Sequence, residues 1–452
     1  MLRRKITAVL EDWKKNGSST ALNIIGARQV GKSTAVREFG QQHYDAFIEI
    51  NFINSPQARE IFRDVNSVED ILTNLTAFSR KTITPGNTLI LLDEIQEAPE
   101  ARTAIKFLVE DGRADYIETG SLLGVKIQEI RSYPVGFEQI IPMYPMDFEE
   151  FLWACRVPEA TISFLHDCFE NRKPVSSVIH QSMLRLFYTW MVVGGMPEAV
   201  QAYVDTNDIA IVSGIKERLI DLYRSDISKY ASPSSKVRIL EIFDAIPGQL
   251  DQKNRRFLFT DIKKGLRFRQ LESSFLWLSE AGISLPCLNT SAPVYPLRIN
   301  EKRSLFKLYL FDTGILCQMI SPEIHFDILK GNTEINTGSV LENAFAQSLR
   351  SKNLSLYYFD NKKIELDFIT EQAGKIDLLE IKSGNDYYRH TALNNAIKTD
   401  EWNIHQAIVF CKGNLEKRDN VLYLPFYMVM FYAERKAQES TLVPIELSGL
   451  LL

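Results

Sequence analysis

The chain has 452 residues, 45% apolar and 24% charged, the composition of an ordinary globular protein and too long for a single core, so roughly three units are expected. It contains no run of about 18 apolar residues, which argues against a membrane span, and its formal net charge of −5 argues against coating nucleic acid with its whole surface. The five cysteines form no CxxC pair and the six histidines no HExxH spacing, so free thiols in a reducing cytoplasm are expected, without structural zinc.

Met1 to Lys5 is basic, but Ile6, Val9, Leu10 and Trp13 then recur at helical spacing among charged residues, which predicts an amphipathic helix and not a signal peptide. Ala21 to Ile25 reads as a buried parallel strand, and Ser33 onward as a helix ending at Gly40. Between them stands Gly26-Ala27-Arg28-Gln29-Val30-Gly31-Lys32-Ser33, a full GxxxxGKS in strand–loop–helix context, with Thr34 beside it. The glycines let backbone N–H groups wrap phosphates, the helix N-terminus adds positive potential, Lys32 reaches the outer phosphates of ATP, and the Ser33 hydroxyl can ligate Mg2+.

A second apolar run, Leu89 to Leu92, ends in Asp93-Glu94. A carboxylate at the end of a buried strand is costly unless a metal or hydrogen bonds receive it, which places Asp93 on magnesium through water and Glu94 on the attacking water. The strand at Asp115 to Glu118 delivers Thr119-Gly120-Ser121. The Thr119 hydroxyl can meet the γ-phosphate or its water, or the three residues can form a plain turn.

From Phe148 to Lys229, residues such as Phe151, Leu152, Met183, Phe187, Trp190 and Met191 recur at spacings of three and four, predicting a helical layer punctuated at Gly194-Gly195-Met196-Pro197. A linker at Ala231 to Ser235 follows. Between 253 and 269 stand seven basic residues, Lys253, Arg255, Arg256, Lys263, Lys264, Arg267 and Arg269, against the single acid Asp261. They lead into a helix carrying Leu271, Phe275 and Leu278, then a β-rich stretch to Leu310. That order fits a winged helix whose second helix enters a DNA major groove; a solvated basic face or a protein-binding winged helix fits it as well.

Beyond Pro322 a helix bearing Glu342 precedes two strands. Alternation puts Glu365 and Asp367 on one face of Ile364 to Phe368, and Glu380 and Lys382 on one face of Ile376 to Lys382. This D…ExK set with a helix glutamate resembles the PD-(D/E)xK nuclease superfamily. The resemblance implies Mg2+ on Asp367 and Glu380, with Glu342 nearby and Lys382 polarising water. A solvated strand edge, or a nuclease fold kept only for binding, are the alternatives.

Taken in order, GARQVGKST, LILLDEIQ, TGSLL, YPVGFEQIIPMYPMDFEEFL, GGMPEAV, YRSDISKY, KLYLFDTGIL and LEN…ELDFI…LLEIKSG resemble prokaryotic AAA-type ATPases whose C-terminal half was long labelled a domain of unknown function. The resemblance covers nearly the entire chain. It implies an α/β fold: an AAA+-like P-loop NTPase domain with a parallel sheet (1–147), a helical lid (148–230), a winged helix (231–320) and a PD-(D/E)xK nuclease-like α/β domain (321–452). Many relatives carry Lys or Arg after Pro-Val-Gly where this chain has Phe137, which leaves Arg131 as the arginine to be donated between subunits of a homo-oligomer, and Arg224 as one that reaches the nucleotide from the lid. The expected function is an ATP-binding and ATP-hydrolysing switch or motor coupled to DNA. A DNA-binding regulator with little turnover, or an ATP-gated nuclease, are the competing classes.

Overall fold

The computed structural model describes residues 2–63, 67–120, 136–252, 255–262, 265, 268–331, 337–361 and 363–433. Short apolar runs without alternation belong in strands covered on both faces, and the first such runs build one parallel sheet. Its strands are β1 (Ala21–Ile25), β2 (Ala46–Asn51), β3 (Thr88–Asp93), β4 (Asp115–Gly120) and β5 (Glu138–Pro142), in the spatial order β2-β3-β4-β1-β5. All four pairings are parallel. With β4 inserted between β1 and β3, the register sets Asp93 opposite Thr119 and Ile25 opposite Gly120. The carboxyl ends of three strands therefore meet beside the loop that follows β1, where ligands of open parallel sheets sit.

Helices α1 (Ile6–Lys15), α2 (Lys32–His43), α3 (Val68–Ser79) and α4 (Pro99–Asp111) pack around this sheet. In α1 the residues Ile6, Leu10 and Trp13 are buried as their spacing predicts, while Val9 lies exposed. Gly40 does not end α2, which continues to His43. The glycine is there because a Cβ at that position would lie 2.3 Å from the Phe47 ring of β2.

The helical layer is α5 (Phe148–Ala154), started by a capping box of Asp147 and Glu150, then α6 (Glu159–Glu170), α7 (Ser177–Val193), α8 (Pro197–Thr206) and α9 (Ile209–Tyr230). Next come α10 (Lys236–Leu250), α11 (Phe259–Ile262) and α12 (Phe268–Glu280), a hairpin of β6 (Ser284–Thr290) and β7 (Glu301–Leu310), and α13 (Thr313–Ile320) and α14 (Ile324–Leu329). The final stretch holds α15 (Thr337–Ser351), β8 (Leu356–Asp360), β9 (Glu365–Gln372), β10 (Lys375–Lys382), α16 (Thr391–Ile397), β11 (Ile404–Cys411), β12 (Glu416–Arg418) and β13 (Val421–Pro425). A second sheet runs β12-β13-β11-β10-β9-β8-β6-β7. The hairpin that precedes the expected division at 320 thus joins the strands that follow it, through a parallel pairing of β6 with β8.

One junction explains two of the recognisable stretches. Gly194 and Gly195, after α7, meet Asp312 and Gly314, at the start of α13, backbone against backbone. The Asp312 carboxylate accepts from the Gly195 N–H at 2.6 Å and the Ile315 N–H at 2.9 Å. A Cβ on Gly194 would stand 2.3 Å from that carboxylate, and one on Gly195 would stand 2.2 Å from the Met146 carbonyl oxygen. No described helix is long and apolar enough to cross a membrane.

Candidate functional site

The loop between β1 and α2 needs backbone conformations that side chains disfavour, and it places glycine at two of them: Gly31 has φ 95°, and Gly26 has no room for a Cβ, which would lie 2.2 Å from the Met143 carbonyl oxygen. Val30 and Ala27 are buried, Gln29 and Thr34 face solvent, and Gly31 caps α2, whose unpaired first-turn N–H groups open toward the loop.

Lys32 is buried, and its ammonium donates to the carbonyls of Gly26 at 3.0 Å and Ala27 at 2.8 Å. Burial lowers its pKa to about 8, against the opposing pull of the Glu94 and Asp93 carboxylates. Asp93, itself buried, gathers three donors: the Ser33 hydroxyl at 2.7 Å and the Thr119 hydroxyl at 2.5 Å on one oxygen, and the Asn51 amide at 2.7 Å on the other. Thr119 is a buried strand residue of β4, not part of a turn. Glu94 follows in a left-handed conformation, φ 57°, with the Gln96 amide on its carboxylate at 2.5 Å. A hydroxyl and a carboxylate in direct contact at the foot of an anion-binding loop are hard oxygen donors of the kind Mg2+ takes, so Ser33 and Asp93 fit that ion.

Several contributors carry no sequence signal of their own. Asn51 ends β2 and Gln96 lies just beyond β3. Arg4, in the basic N-terminal stretch, donates to the Val30 carbonyl at 2.7 Å and the Tyr144 carbonyl at 2.8 Å, and pairs with Glu150 at 3.1 Å, clamping the loop from behind. The YRSDI segment reaches the loop by residues other than the expected one. Arg224 is spent on Asp221 and Asp244 at the surface, while Tyr223 donates to the Arg28 carbonyl at 2.7 Å and Asp226 pairs with the Arg28 guanidinium at 2.5 Å. Ser121 and Arg131 lie outside the described residues, as do Lys253, Lys263, Lys264 and Arg267 of the basic cluster.

In the second sheet, Glu342, Glu365, Asp367, Glu380 and Lys382 do line one cavity, of about 450 Å3, together with Arg255. The carboxylates are already engaged. Glu342 is paired with Arg255, accepts from the Tyr309 hydroxyl at 2.9 Å and has the fully buried Lys307 ammonium at 3.6 Å. Asp367 accepts from the Ile381 N–H at 2.8 Å, and Glu380 pairs with Lys382 at 2.7 Å. Burial, reinforced by Asp367, pushes the Glu380 carboxyl up to about 8. Among the described residues no three His, Cys, Asp or Glu side chains are grouped so as to hold one metal ion.

One family match spans the parallel-sheet site. Residues 18–152 match the family model of an AAA domain, residues 184–323 a domain of unknown function, DUF8612, and residues 337–428 another, DUF4143. No curated protein sequence gives a significant match. Among solved structures, the chain aligns with the Walker-type ATPase PABY2304 of Pyrococcus abyssi at 14% identity over 71% of this chain and 96% of that one, with a TM-score of 0.41. It also aligns with Cdc6p from Pyrobaculum aerophilum, at 14% identity over 72% and 92% with a TM-score of 0.22, and with the Aeropyrum pernix Orc1 protein in complex with DNA, at 15% over 72% and 92% with a TM-score of 0.28. The family match over 18–152 spans the parallel sheet and its loop, so the first third of the chain is similar to a P-loop domain of the AAA type.

Proposed function

We propose that the chain binds ATP with Mg2+ at the loop between β1 and α2, hydrolyses it, and uses the cycle as a switch or motor acting on nucleic acid. The observation that supports this reading best is the meeting of Ser33, Thr119 and Asn51 on the Asp93 carboxylate, within electrostatic reach of Lys32 and Glu94. Loop amides and the first turn of α2 receive phosphate oxygens, and Lys32 turns from the Gly26 and Ala27 carbonyls to the outer phosphates. Ser33 and Asp93 would hold Mg2+, which supplies neutralisation of the phosphate charge. Glu94 aligns the attacking water and takes its proton, while Thr119 senses the γ-phosphate from the tip of β4.

Coupling to DNA draws on the order α10, α11, α12, β6, β7, that of a winged helix, and on the basic residues around it, of which Arg269 is exposed. A second reading, an ATP-gated nuclease, rests on the convergence of Asp367, Glu380 and Lys382 on one cavity. The test is phosphate release by wild type, Lys32→Ala and Glu94→Gln, with and without duplex or single-stranded DNA. Lys32→Ala should abolish productive nucleotide use. Glu94→Gln should keep nucleotide binding and lose about a hundredfold to a thousandfold in turnover; turnover at the wild-type rate in that variant removes Glu94 from the chemistry.

A further inference from the structure

Backbone wrapping of phosphates leaves the side chain of Arg28 without a task, yet its surroundings are specific. Its carbonyl is held by the Tyr223 hydroxyl and its guanidinium by Asp226, both from α9. Asp226 is 2% exposed, and its second oxygen, Oδ2, has no hydrogen-bond partner among the described residues. Arg28 itself keeps 23% of its side chain exposed and lies within electrostatic reach of Glu94, the residue that would carry the attacking water. The guanidinium is partly exposed, and the carboxylate that holds it is buried. A triphosphate carries several negative oxygens, to which Arg binds bidentately, and so competes with the single carboxylate for the guanidinium, at the cost of leaving that buried carboxylate without its partner.

We propose that Arg28 is the arginine that stabilises the γ-phosphoryl group during hydrolysis, supplied in cis from the phosphate-binding loop, and that Asp226 on α9 holds it aside in the nucleotide-free chain. The inference rests on the ATPase reading of the loop. In the step itself the water oxygen bonds to the γ-phosphorus, the bond from that phosphorus to the β–γ bridging oxygen breaks with its electron pair leaving on ADP, and the water proton passes to Glu94. Arg28 forms no covalent bond. It offsets the negative charge spread over the equatorial and leaving oxygens, a role that in related chemistries an arginine from a second molecule often fills. Its departure leaves Asp226 buried and uncompensated, which gives α9 a reason to shift when nucleotide binds.

Steady-state ATP turnover and nucleotide binding by the full chain test this, with Arg28→Ala, Arg28→Lys, Asp226→Asn and Lys32→Ala compared with wild type. Arg28→Ala should lower kcat about a hundredfold to a thousandfold while nucleotide affinity changes by less than about threefold, and free guanidinium should restore part of the lost kcat. Arg28→Lys, which keeps charge without the planar fork, should recover only a fraction. Asp226→Asn should raise the basal rate, because the competing anchor is gone. Turnover by Arg28→Ala within about threefold of wild type, or weakened affinity at unchanged kcat, overturns the proposal. So does recovery of activity on mixing Arg28→Ala with Lys32→Ala, since a residue acting in cis cannot be complemented that way. Wild type that neither binds nor hydrolyses ATP would overturn the ATPase reading itself. Lys32-dependent turnover insensitive to Arg28 would sink only this inference.

Discussion

Lys32 gives the nucleotide site a pH dependence whose size follows from its burial. In the nucleotide-free chain its ammonium rests on two carbonyls and its pKa falls to about 8 from the ordinary 10.5, burial outweighing the pull of Glu94 and Asp93. That gap corresponds to roughly 3 kcal/mol of differential interaction between the charged and neutral forms. The sign is the reverse of the usual ion pair: the cost of burying the charge is present below pH 8 and is relieved as pH rises from 8 toward 10.5, where the unfolded chain still holds the proton. Phosphates favour the charged form, so binding draws a proton onto Lys32 above pH 8. At pH 9 about one free molecule in ten retains it, and affinity for MgATP should be about tenfold weaker than at pH 7. Calorimetry at pH 8.5 in two buffers of different ionisation heat should register proton uptake on binding, and Lys32→Arg, always charged, should lose the dependence. Affinity constant within twofold between pH 7 and 9, with no proton uptake, would refute this account of the buried lysine.

Asp312→Ala strips two buried N–H groups, those of Gly195 and Ile315, of their acceptor; the unfolding midpoint in urea should fall by the equivalent of about 3 kcal/mol, with Asp312→Asn milder. In the C-terminal cavity, Mn2+ or Mg2+ should raise the melting temperature of the full chain, more strongly as pH rises toward 8 and Glu380 loses its proton, and Asp367→Ala should abolish the effect. Arg255→Ala should enlarge that metal-dependent shift, because Glu342 is then released from a competing cation; an unchanged shift would show that Glu342 takes no part.

The loop from Gly26 to Ser33 was legible in the sequence because its chemistry is local: backbone amides, two glycines and a lysine must lie within eight consecutive positions. Asp93 was legible for a related reason, a charge at the end of an apolar strand needing a partner, and Ser33, Thr119 and Asn51 are the partners found. Arg4, Gln96 and Asp226 were not, since nothing near them in the chain says which loop they will face. Arg224 shows the same limit from the other side. A helix presents residues two apart to different faces, and α9 turns Asp226 inward and Arg224 to solvent. Gly40 was misread as a stop because a glycine that ends a helix and one that makes way for the Phe47 ring look alike in sequence. Alternation in 284–310 marks strands without naming their sheet, and only the pairing of β6 with β8 attaches them to the C-terminal strands.

That attachment changes what the C-terminal cavity can do. Lys307 and Tyr309 are on β7 and Arg255 precedes α11, so three of the groups that satisfy Glu342 come from the stretch matched to DUF8612, before the DUF4143 match begins. Lys307 is wholly buried, its ammonium making no hydrogen bond among the described residues, and it answers to Glu342 and Glu365 by charge alone. Cutting the chain between the two stretches would leave Glu342 buried without its cations and break the β6–β8 pairing, at a cost of several kcal/mol per unpaired ion. A divalent ion calling on Glu342 must compete with Arg255 and Lys307, whereas one held by Asp367 and Glu380 need displace only Lys382. Access of a cation to Glu342 therefore depends on where the segment carrying Arg255 lies, the same basic segment expected to meet DNA.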